Sequence, residues 1–250
     1  MGELVRIDID DGIATVTLDS QHNRNALSRQ VVRELGACLD DAESAGARAI
    51  VLRHEGPAFC AGADLKERAA DDGPLESSPM VDVMRRLMET PRPTIAAVEG
   101  AVRAGGIGLM ASCDLVVVHQ DVSFALTEVR IGVAAAIISV PILRRVPSGK
   151  IAAAMLTGEM FSAESAQSMG LVTHVTDDVT RVVDHLCDGV RAGAPRAVAE
   201  TKRLLRRVPT LDVDAAFDEM RQLSDELFRG PDAAEGMMAF REKRRPVWPS

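Results

Sequence analysis

No tyrosine occurs among the 250 residues, and the aromatic side chains stop at six phenylalanines and one tryptophan. The core must therefore be built from Ala, Val, Leu, Ile and Met. Hydrophobic residues make up 46% of the chain against 26% charged, the balance of a soluble globular protein. An excess of positive charge is also missing. Lys and Arg number 29 against 37 Asp and Glu, a net charge of −8. That argues against a sequence-independent nucleic-acid binder, which needs a basic face. An anionic small ligand stays open, because a local basic patch can still focus field. Cysteines at 38, 60, 113 and 187 have neither metal-ligand spacing nor the pattern of a disulfide framework. Free thiols in a reducing cytoplasm are expected. Histidines at 22, 54, 119, 174 and 185 form no cluster, so no metal site is expected. No apolar run is long enough to span a bilayer, and MGELVRIDID lacks the apolar centre of a secretion signal. The expectation is a cytoplasmic protein with no nucleic-acid or membrane partner.

The length fits a long single domain or a domain with a small appendage. VRIDIDDGIATVTLD (5–19) alternates around Asp11-Gly12 and predicts a hairpin with a primed turn. Residues 25–45 carry Leu27, Val31, Val32, Leu35 and Leu39 at helical spacing, with Ser28 as N-cap. ARAIVLRHE (47–55) reads as a buried strand, and ERAADDGPLESSP (67–79) as a mobile loop. Residues 80–89 are helical up to Pro91 and Pro93, which end the helix. A strand at 94–100 leads into AGGIGLMASCD (104–114) and a helix to Cys113. Strands follow at 114–120 and 123–129, helices at 138–146, 149–157 and 161–170, and a last strand at 171–176. Beyond 178 the pattern is helical only, over 179–192, 196–207, 212–228 and 232–243. Strands alternating with helices predict an α/β core over 1–194, then a helical region over 195–250.

The chemistry concentrates in two glycine-bearing stretches. In AGGIGLMASCD a strand runs into Gly-Gly and opens a helix, so a ligand can approach bare backbone. The helix N-terminus offers unpaired N–H groups and partial positive charge. Alone, the stretch reads better as tight helix packing, since a Gly pair before a helix is common. PAFCAGADLKE (57–67) is a second stretch of the same kind, after another buried strand. Two converging N–H donors are the minimum for holding a carbonyl oxygen as it becomes an oxyanion. A dinucleotide-binding turn is excluded, because AGGIG lies far from the N-terminus and lacks the G-x-G-x-x-G spacing.

AFCAGADLKE, then VEGAVRAGGIGLMASCDLVV, then SFALTEVRIGV resemble the enoyl-CoA hydratase/isomerase (crotonase) superfamily. NRNALS (23–28) resembles its early coenzyme-contacting turn, FSAESAQSMGLVTHV the stretch before its helical tail, and EGMMAFREKRRPVW its C-terminal end. The resemblance spans the chain. It implies a crotonase-like spiral of ββα repeats with a helical C-terminal oligomerisation region, assembled as a homotrimer or dimer of trimers. It further implies an acyl-CoA thioester as substrate, with no tightly bound cofactor beyond the coenzyme A that the substrate carries.

Residue by residue, the resemblance makes the N–H groups of Ala63 and Gly105 the two oxyanion donors. Ala104 stands at the first glycine of the family's three, a departure expected to be mild because Ala is small. Stabilising an enolate makes addition at C3 or proton loss near C2 accessible, and a carboxylate then moves protons. The family's hydratases use two glutamates. The first position is Gly108 here; the second is Glu128. Three readings follow: a hydratase working with Glu128 alone, a double-bond isomerase using the same single base, or an acyl-CoA binder without turnover. The first is favoured, since LTEVRIGV followed by IIS (137–139) resembles hydratases for branched or glutaconyl-type acyl groups. Glu128 as a structural partner of Arg130 or Arg144 is the plain competing reading. Asp64 reads as a helix N-cap, and Asp114 as a structural hydrogen-bond partner.

Coenzyme A needs local cations. The resemblance places Arg24, Ala26, Ala61, Ala63, Asp64, Leu65 and Lys66 along the coenzyme, with Arg24 and Lys66 as cations. Phe240 and Lys243 match tail residues that reach the adenine and 3′-phosphate, often from a neighbouring subunit. Arg103 faces solvent, a phosphate or an acyl carboxylate. The acyl pocket is expected between 67–85 and 131–143, where small apolar residues leave room for a bulky or branched group. Arg86, Arg103 or Arg130 would answer a carboxylated one.

Overall fold

The computed structural model describes residues 2–69 and 79–248. Strands β1 (Val5–Asp10) and β2 (Ile13–Leu18) form the expected hairpin, with Asp10 opposite Ile13. Asp11 and Gly12 both take positive φ, 45° and 74°, the primed turn that matches strand twist. Helix α1 (Arg29–Ser44) starts where predicted, because the Ser28 hydroxyl accepts from the Val31 N–H at 3.2 Å.

Three strand–strand–helix units follow. The first is β3 (Ala49–His54), β4 (Ala58–Cys60), then helices α2 (Leu65–Ala69) and α3 (Pro79–Glu89). The second is β5 (Thr94–Val98), β6 (Ala101–Arg103) and α4 (Gly105–Ala111). The third is β7 (Leu115–His119), β8 (Ser123–Ala125) and α5 (Ala136–Arg145). Helix α6 (Ser148–Thr157), β9 (Met160–Ser162), α7 (Ala163–Met169) and β10 (His174–Thr176) complete the core. The first strand of each unit joins a six-stranded sheet ordered β1-β2-β3-β5-β7-β10. The second joins a four-stranded sheet ordered β4-β6-β8-β9. Each unit thus advances one strand in both sheets, which is the expected spiral. Of the loop expected over 67–79, residues 67–69 belong to α2 and Pro79 opens α3; residues 70–78 lie outside the described residues.

The centre of the large sheet is parallel and covered on both faces, so β5 is buried at every position and reads as an apolar run. Leu35, Leu52, Phe59, Leu109 and Val116 share one core. On the other face helix α8 (Val179–Ala192) lays Val179, Val183 and Cys187 over Val51, Ile95 and Val117. Helices α9 (Pro195–Arg207), α10 (Val213–Phe228) and α11 (Pro231–Glu242) follow. Lys202 fastens α9. It is 6% exposed, and its ammonium meets Asp114 Oδ2 at 2.7 Å and the carbonyls of Leu87 and Arg92 at 3.0 and 2.9 Å. Asp114 also accepts from the Thr94 N–H and hydroxyl at 2.8 and 3.0 Å. Its role is structural, as expected, and both buried charges have the partners that burial demands.

Candidate functional site

The two glycine-bearing loops meet. Gly62 has φ 95°, a conformation that L side chains rarely adopt. A Cβ added there would lie 2.9 Å from Ala104 Cβ and 3.5 Å from the Gly105 nitrogen. A Cβ added at Gly105 would lie 3.5 Å from the Ala63 nitrogen and 3.1 Å from Leu27 Cδ1. The nitrogens of Ala63 and Gly105 therefore flank one patch of bare backbone. Gly105 is the first residue of α4, so its N–H has no intrahelical acceptor. Beneath the patch, Cys60 Sγ accepts from the Gly62 N–H at 3.4 Å. Burial pushes that thiol up to about 12, which makes it an inert prop. Ala104 is the correction here. It sits at φ 46°, ψ −119°, held by its N–H on Ala125 and by its own carbonyl accepting from Ile107, both at 2.9 Å. A non-glycine residue in such a conformation stores roughly 1–3 kcal/mol of strain, so the departure from glycine is not mild.

The turn at 20–27 is sewn to this patch. The Leu27 N–H donates to Gly62 O at 2.8 Å, and the Ala61 N–H to Arg24 O at 3.0 Å. Asn25 is the stitch that sequence reasoning missed. It is fully buried with φ 55°. Its Oδ1 accepts from Ser20 N at 2.7 Å, and its Nδ2 donates to the carbonyls of Glu55 and Ala58 at 3.0 and 2.8 Å. The available signal was Asn itself, which tolerates the left-handed region. Asp64 is the expected N-cap: Oδ1 accepts from Lys66 and Glu67 N–H groups at 3.0 and 3.3 Å, and Oδ2 from Asn23 Nδ2 at 3.2 Å. These bonds, the Glu67 one foremost, hold its carboxyl below the usual range.

The turn bearing Arg24 and Ala26 is thus tied through hydrogen bonds to Ala61 and Gly62, and Leu27 and Ala63 lie beside Gly105; Asp64, Leu65 and Lys66 follow directly in the chain. Arg24 and Lys66 are exposed; among the described residues neither side chain makes a hydrogen bond or ion pair, and Lys66 is an electrostatic neighbour of Asp64. Phe240 and Lys243 are not brought there. They stand at the end of α11, Phe240 87% exposed and Lys243 left-handed at φ 54°, with no hydrogen bond or ion pair to this rim among the described residues.

Glu128 lies in a turn and not on the strand expected over 123–129. Strand β8 ends at Ala125, and residues Glu128–Ile131 form a 3₁₀ turn closed by Gly132 at φ 81°. The turn re-aims the side chain, and the carboxyl is half-buried with Oε2 buried and unpartnered. No ion pair joins it to Arg130 or Arg144 among the described residues. Arg130 instead donates from Nε to Thr157 O at 3.0 Å. Burial raises the Glu128 carboxyl above its ordinary value, against a smaller lowering from its own backbone N–H.

Gly108 lies one turn beyond Gly105 on the same side of α4. A Cβ there would fall 2.3 Å from Ile138 Cγ2 and 3.0 Å from Met84 Cε. The space of a side chain at 108 is therefore occupied by Ile138. Arg103 is also corrected. Its guanidinium donates to the carbonyls of Val102 and Ser123 at 2.9 and 2.5 Å and to the Ser123 hydroxyl at 2.9 Å, so it ties strands together.

The family profile described as Enoyl-CoA hydratase/isomerase matches residues 8–250. The chain belongs to the enoyl-CoA hydratase/isomerase family. It is 31% identical over 247 residues to enoyl-CoA hydratase EchA19 of Mycobacterium tuberculosis, covering 92% of this chain and 91% of that protein. It is 33% identical over 250 residues to the mitochondrial enoyl-CoA hydratase domain-containing protein 3 of Rattus norvegicus, covering 95% and 82%. An enoyl-CoA hydratase crystal structure from Mycobacterium smegmatis superposes with TM-score 0.92 at 33% identity, over 99% of both chains. Among the described residues no helix is long and apolar enough to cross a membrane, and no His, Cys, Asp or Glu cluster could hold a metal ion.

Proposed function

We infer that this protein is an enoyl-CoA hydratase working with one carboxylate, Glu128. The observation that carries this reading is the Glu128 carboxyl itself, desolvated and without an ionic partner among the described residues, in the turn that leads toward α5. A structural glutamate would be paired; a proton carrier needs a free oxygen and a value raised toward working pH. The Ala63 and Gly105 N–H groups hold the thioester carbonyl. The ionised Glu128 takes a proton from water as the water oxygen bonds to C3. The C2–C3 π electrons move toward the carbonyl, whose oxyanion the two N–H groups stabilise. Protonated Glu128 then returns the proton to C2, and the thioester leaves with one water added. Arg24 and Lys66 meet the coenzyme's phosphates. Phe240, almost wholly exposed, serves the coenzyme from a second copy in a trimer.

A one-base double-bond isomerase is the second reading. The closed space at Gly108 favours it, since a hydratase gains from a second acid and an isomerase does not. A panel of 2-enoyl- and 3-enoyl-CoA thioesters in ¹⁸O-labelled water decides by mass. Uptake of one labelled water, lost in Glu128→Gln, is the expected result. Double-bond movement without label makes the protein an isomerase. Binding without turnover overturns both.

A further inference from the structure

His54 is a buried titratable group that the reaction as written does not use. It closes β3 and is 7% exposed. Side chains alternate along a strand, so His54 shares the inner face with Ile50 and Leu52, both in the main core. Its ring meets Phe59 of β4 edge-on, with centroids 5.6 Å apart. Nε2 accepts from the Glu99 N–H at 3.1 Å, which makes the ring neutral with its hydrogen on Nδ1. Nδ1 is buried and has no hydrogen-bond partner among the described residues. Glu99 lies in the link between β5 and β6. That link presses on the one between β3 and β4. The Ala101 N–H donates to Pro57 O at 3.2 Å, and a Cβ added at Gly100 would fall 2.6 Å from the same oxygen. Beyond these links β4 and β6 run parallel, with Ala58 opposite Ala101 and Cys60 opposite Val102. Each strand has three residues, and the register slips between Ala58 and Cys60, which costs part of the ladder. Ala63 follows Cys60 by three residues, and Gly105 follows Val102 by three. The spacing of the two N–H donors is thus inherited from the seating of β4 on β6, and the His54–Glu99 bond fastens the entrance to that pair.

We propose that His54 is a positioning residue: its neutral ring holds the β5–β6 link to the end of β3 and so keeps the Ala63 and Gly105 N–H groups at the spacing that one carbonyl oxygen needs. The proposal rests on the reading that those groups hold a thioester carbonyl. Protonating Nε2 removes the acceptor and leaves the Glu99 N–H unpaired, so the fastening opens in acid. The charges that act on the ring are Arg53 and Glu55 on its own segment and Glu99 across the link. Strands β2 and β4 bring Leu18 and Phe59 beside it. Burial outweighs the charges and lowers the ring from its ordinary value. Between the lowered and the ordinary value the unfolded chain binds more protons than the folded one. This stability is therefore complete above the ordinary value and is lost as pH falls through the lowered one.

Difference infrared spectroscopy of butanoyl-CoA, ¹³C-labelled at the thioester carbonyl and bound to the full-length protein, tests it without turnover. In the wild type at pH 7 the labelled carbonyl should stretch at lower frequency than in water, because two donors polarise it. His54→Leu removes the acceptor and should lose much of that shift. Its kcat on a 2-enoyl-CoA should fall about tenfold, with KM changed far less. His54→Gln keeps an acceptor that does not titrate. It should hold the full shift at pH 7 and keep it as pH falls, whereas the wild type loses it. Glu128 titrates in both proteins, so the difference between them belongs to His54. If His54→Leu does not fold, the pH series of wild type and His54→Gln decides alone. A full shift in His54→Leu with only Tm lowered makes His54 a packing residue and overturns the proposal. So does a wild-type shift as insensitive to acid as that of the glutamine variant. No shift in the wild type at pH 7 overturns the two-donor reading beneath it, a different failure.

Discussion

Two regions one helical turn apart on α4 are both built on glycine. Around Gly105 the neighbours are a backbone nitrogen and the tip of Leu27, and the nearby cations Arg24 and Lys66 are exposed. Around Gly108 the neighbours are branched and flexible apolar side chains, Ile138 and Met84. The same residue type thus leaves backbone uncovered at one position and admits a side chain from another helix at the other. A missing side chain is a statement about space, and only the neighbours say whether that space is for a ligand or for packing. On the proposed reading Glu128 works as the one acid, since a side chain at 108 would meet Ile138.

The largest break would come from Glu128→Gln. Loss of the only proton carrier should lower kcat about a thousandfold, within the usual 10²–10⁴ span for general acid–base groups. Stability should move the other way. The folded carboxyl is raised above its ordinary value by burial, so between the two values the native state binds more protons than the unfolded chain. The wild type therefore loses stability as pH rises through that window, and the loss is complete above the raised value. The variant should melt higher than wild type at pH 7, and the difference should vanish below the ordinary glutamate value. A variant that melts lower at pH 7 would make Glu128 a structural carboxylate.

Gly108→Ala probes the packed region by sign. In a helix interior this change ordinarily stabilises by about 0.5–1 kcal/mol. Here the new methyl would meet Ile138 at 2.3 Å, and overpacking should cost about 3 kcal/mol instead, lowering Tm by about 6–12 °C. Ile138→Ala in the same chain should recover part of that loss, a non-additivity expected of touching residues. A stabilised single variant would show that α4 and α5 do not press together as described.

Asn25 carries the open region. Asn25→Gly removes the amide but suits φ 55°, whereas Asn25→Ala adds the left-handed penalty. The glycine variant should lose about 2 kcal/mol from stranded buried partners, and the alanine variant about 1 kcal/mol more. Chemical denaturation reads both. Equal losses would mean that the hydrogen bonds, and not the backbone conformation, set the cost.

How much of this was readable in the sequence follows the range of the interactions. The tail helices were legible almost to the residue, because a 3.6-residue period and terminal Pro and Gly are local signals. Ser28 and Asp64 were legible as caps for the same reason. Strands β4 and β6 were missed, since three residues display no alternation. The turn at Glu128 was read as strand, because SFALTEV alternates acceptably while the chain in fact leaves β8 at Ala125. The Ile138 contact on Gly108 joins residues thirty apart in sequence, and nothing local announces it. Family resemblance supplied positions for the acid and the donors, but the contents of the neighbouring space had to come from packing.

The smallest expected effects belong to Arg24 and Lys66, and they test the open region's charge. Both side chains are exposed and make no hydrogen bond or ion pair among the described residues, Lys66 having only an electrostatic neighbour in the well-bonded Asp64, so removing either should barely change Tm. If they serve the coenzyme's phosphates, Arg24→Ala and Lys66→Ala should each weaken acyl-CoA binding about three- to tenfold at low salt, with kcat unchanged, since such contacts bind ground and transition states alike. The difference should shrink by about 0.5 M salt, where the screening length falls to a few ångströms. Arg130→Ala is the contrasting variant. Its guanidinium is drawn to Thr157, so it should alter stability and leave coenzyme affinity alone. If Arg130→Ala weakened coenzyme binding with the same salt dependence, the division between Arg24 and Lys66 as coenzyme contacts and Arg130 as a structural tie would be wrong.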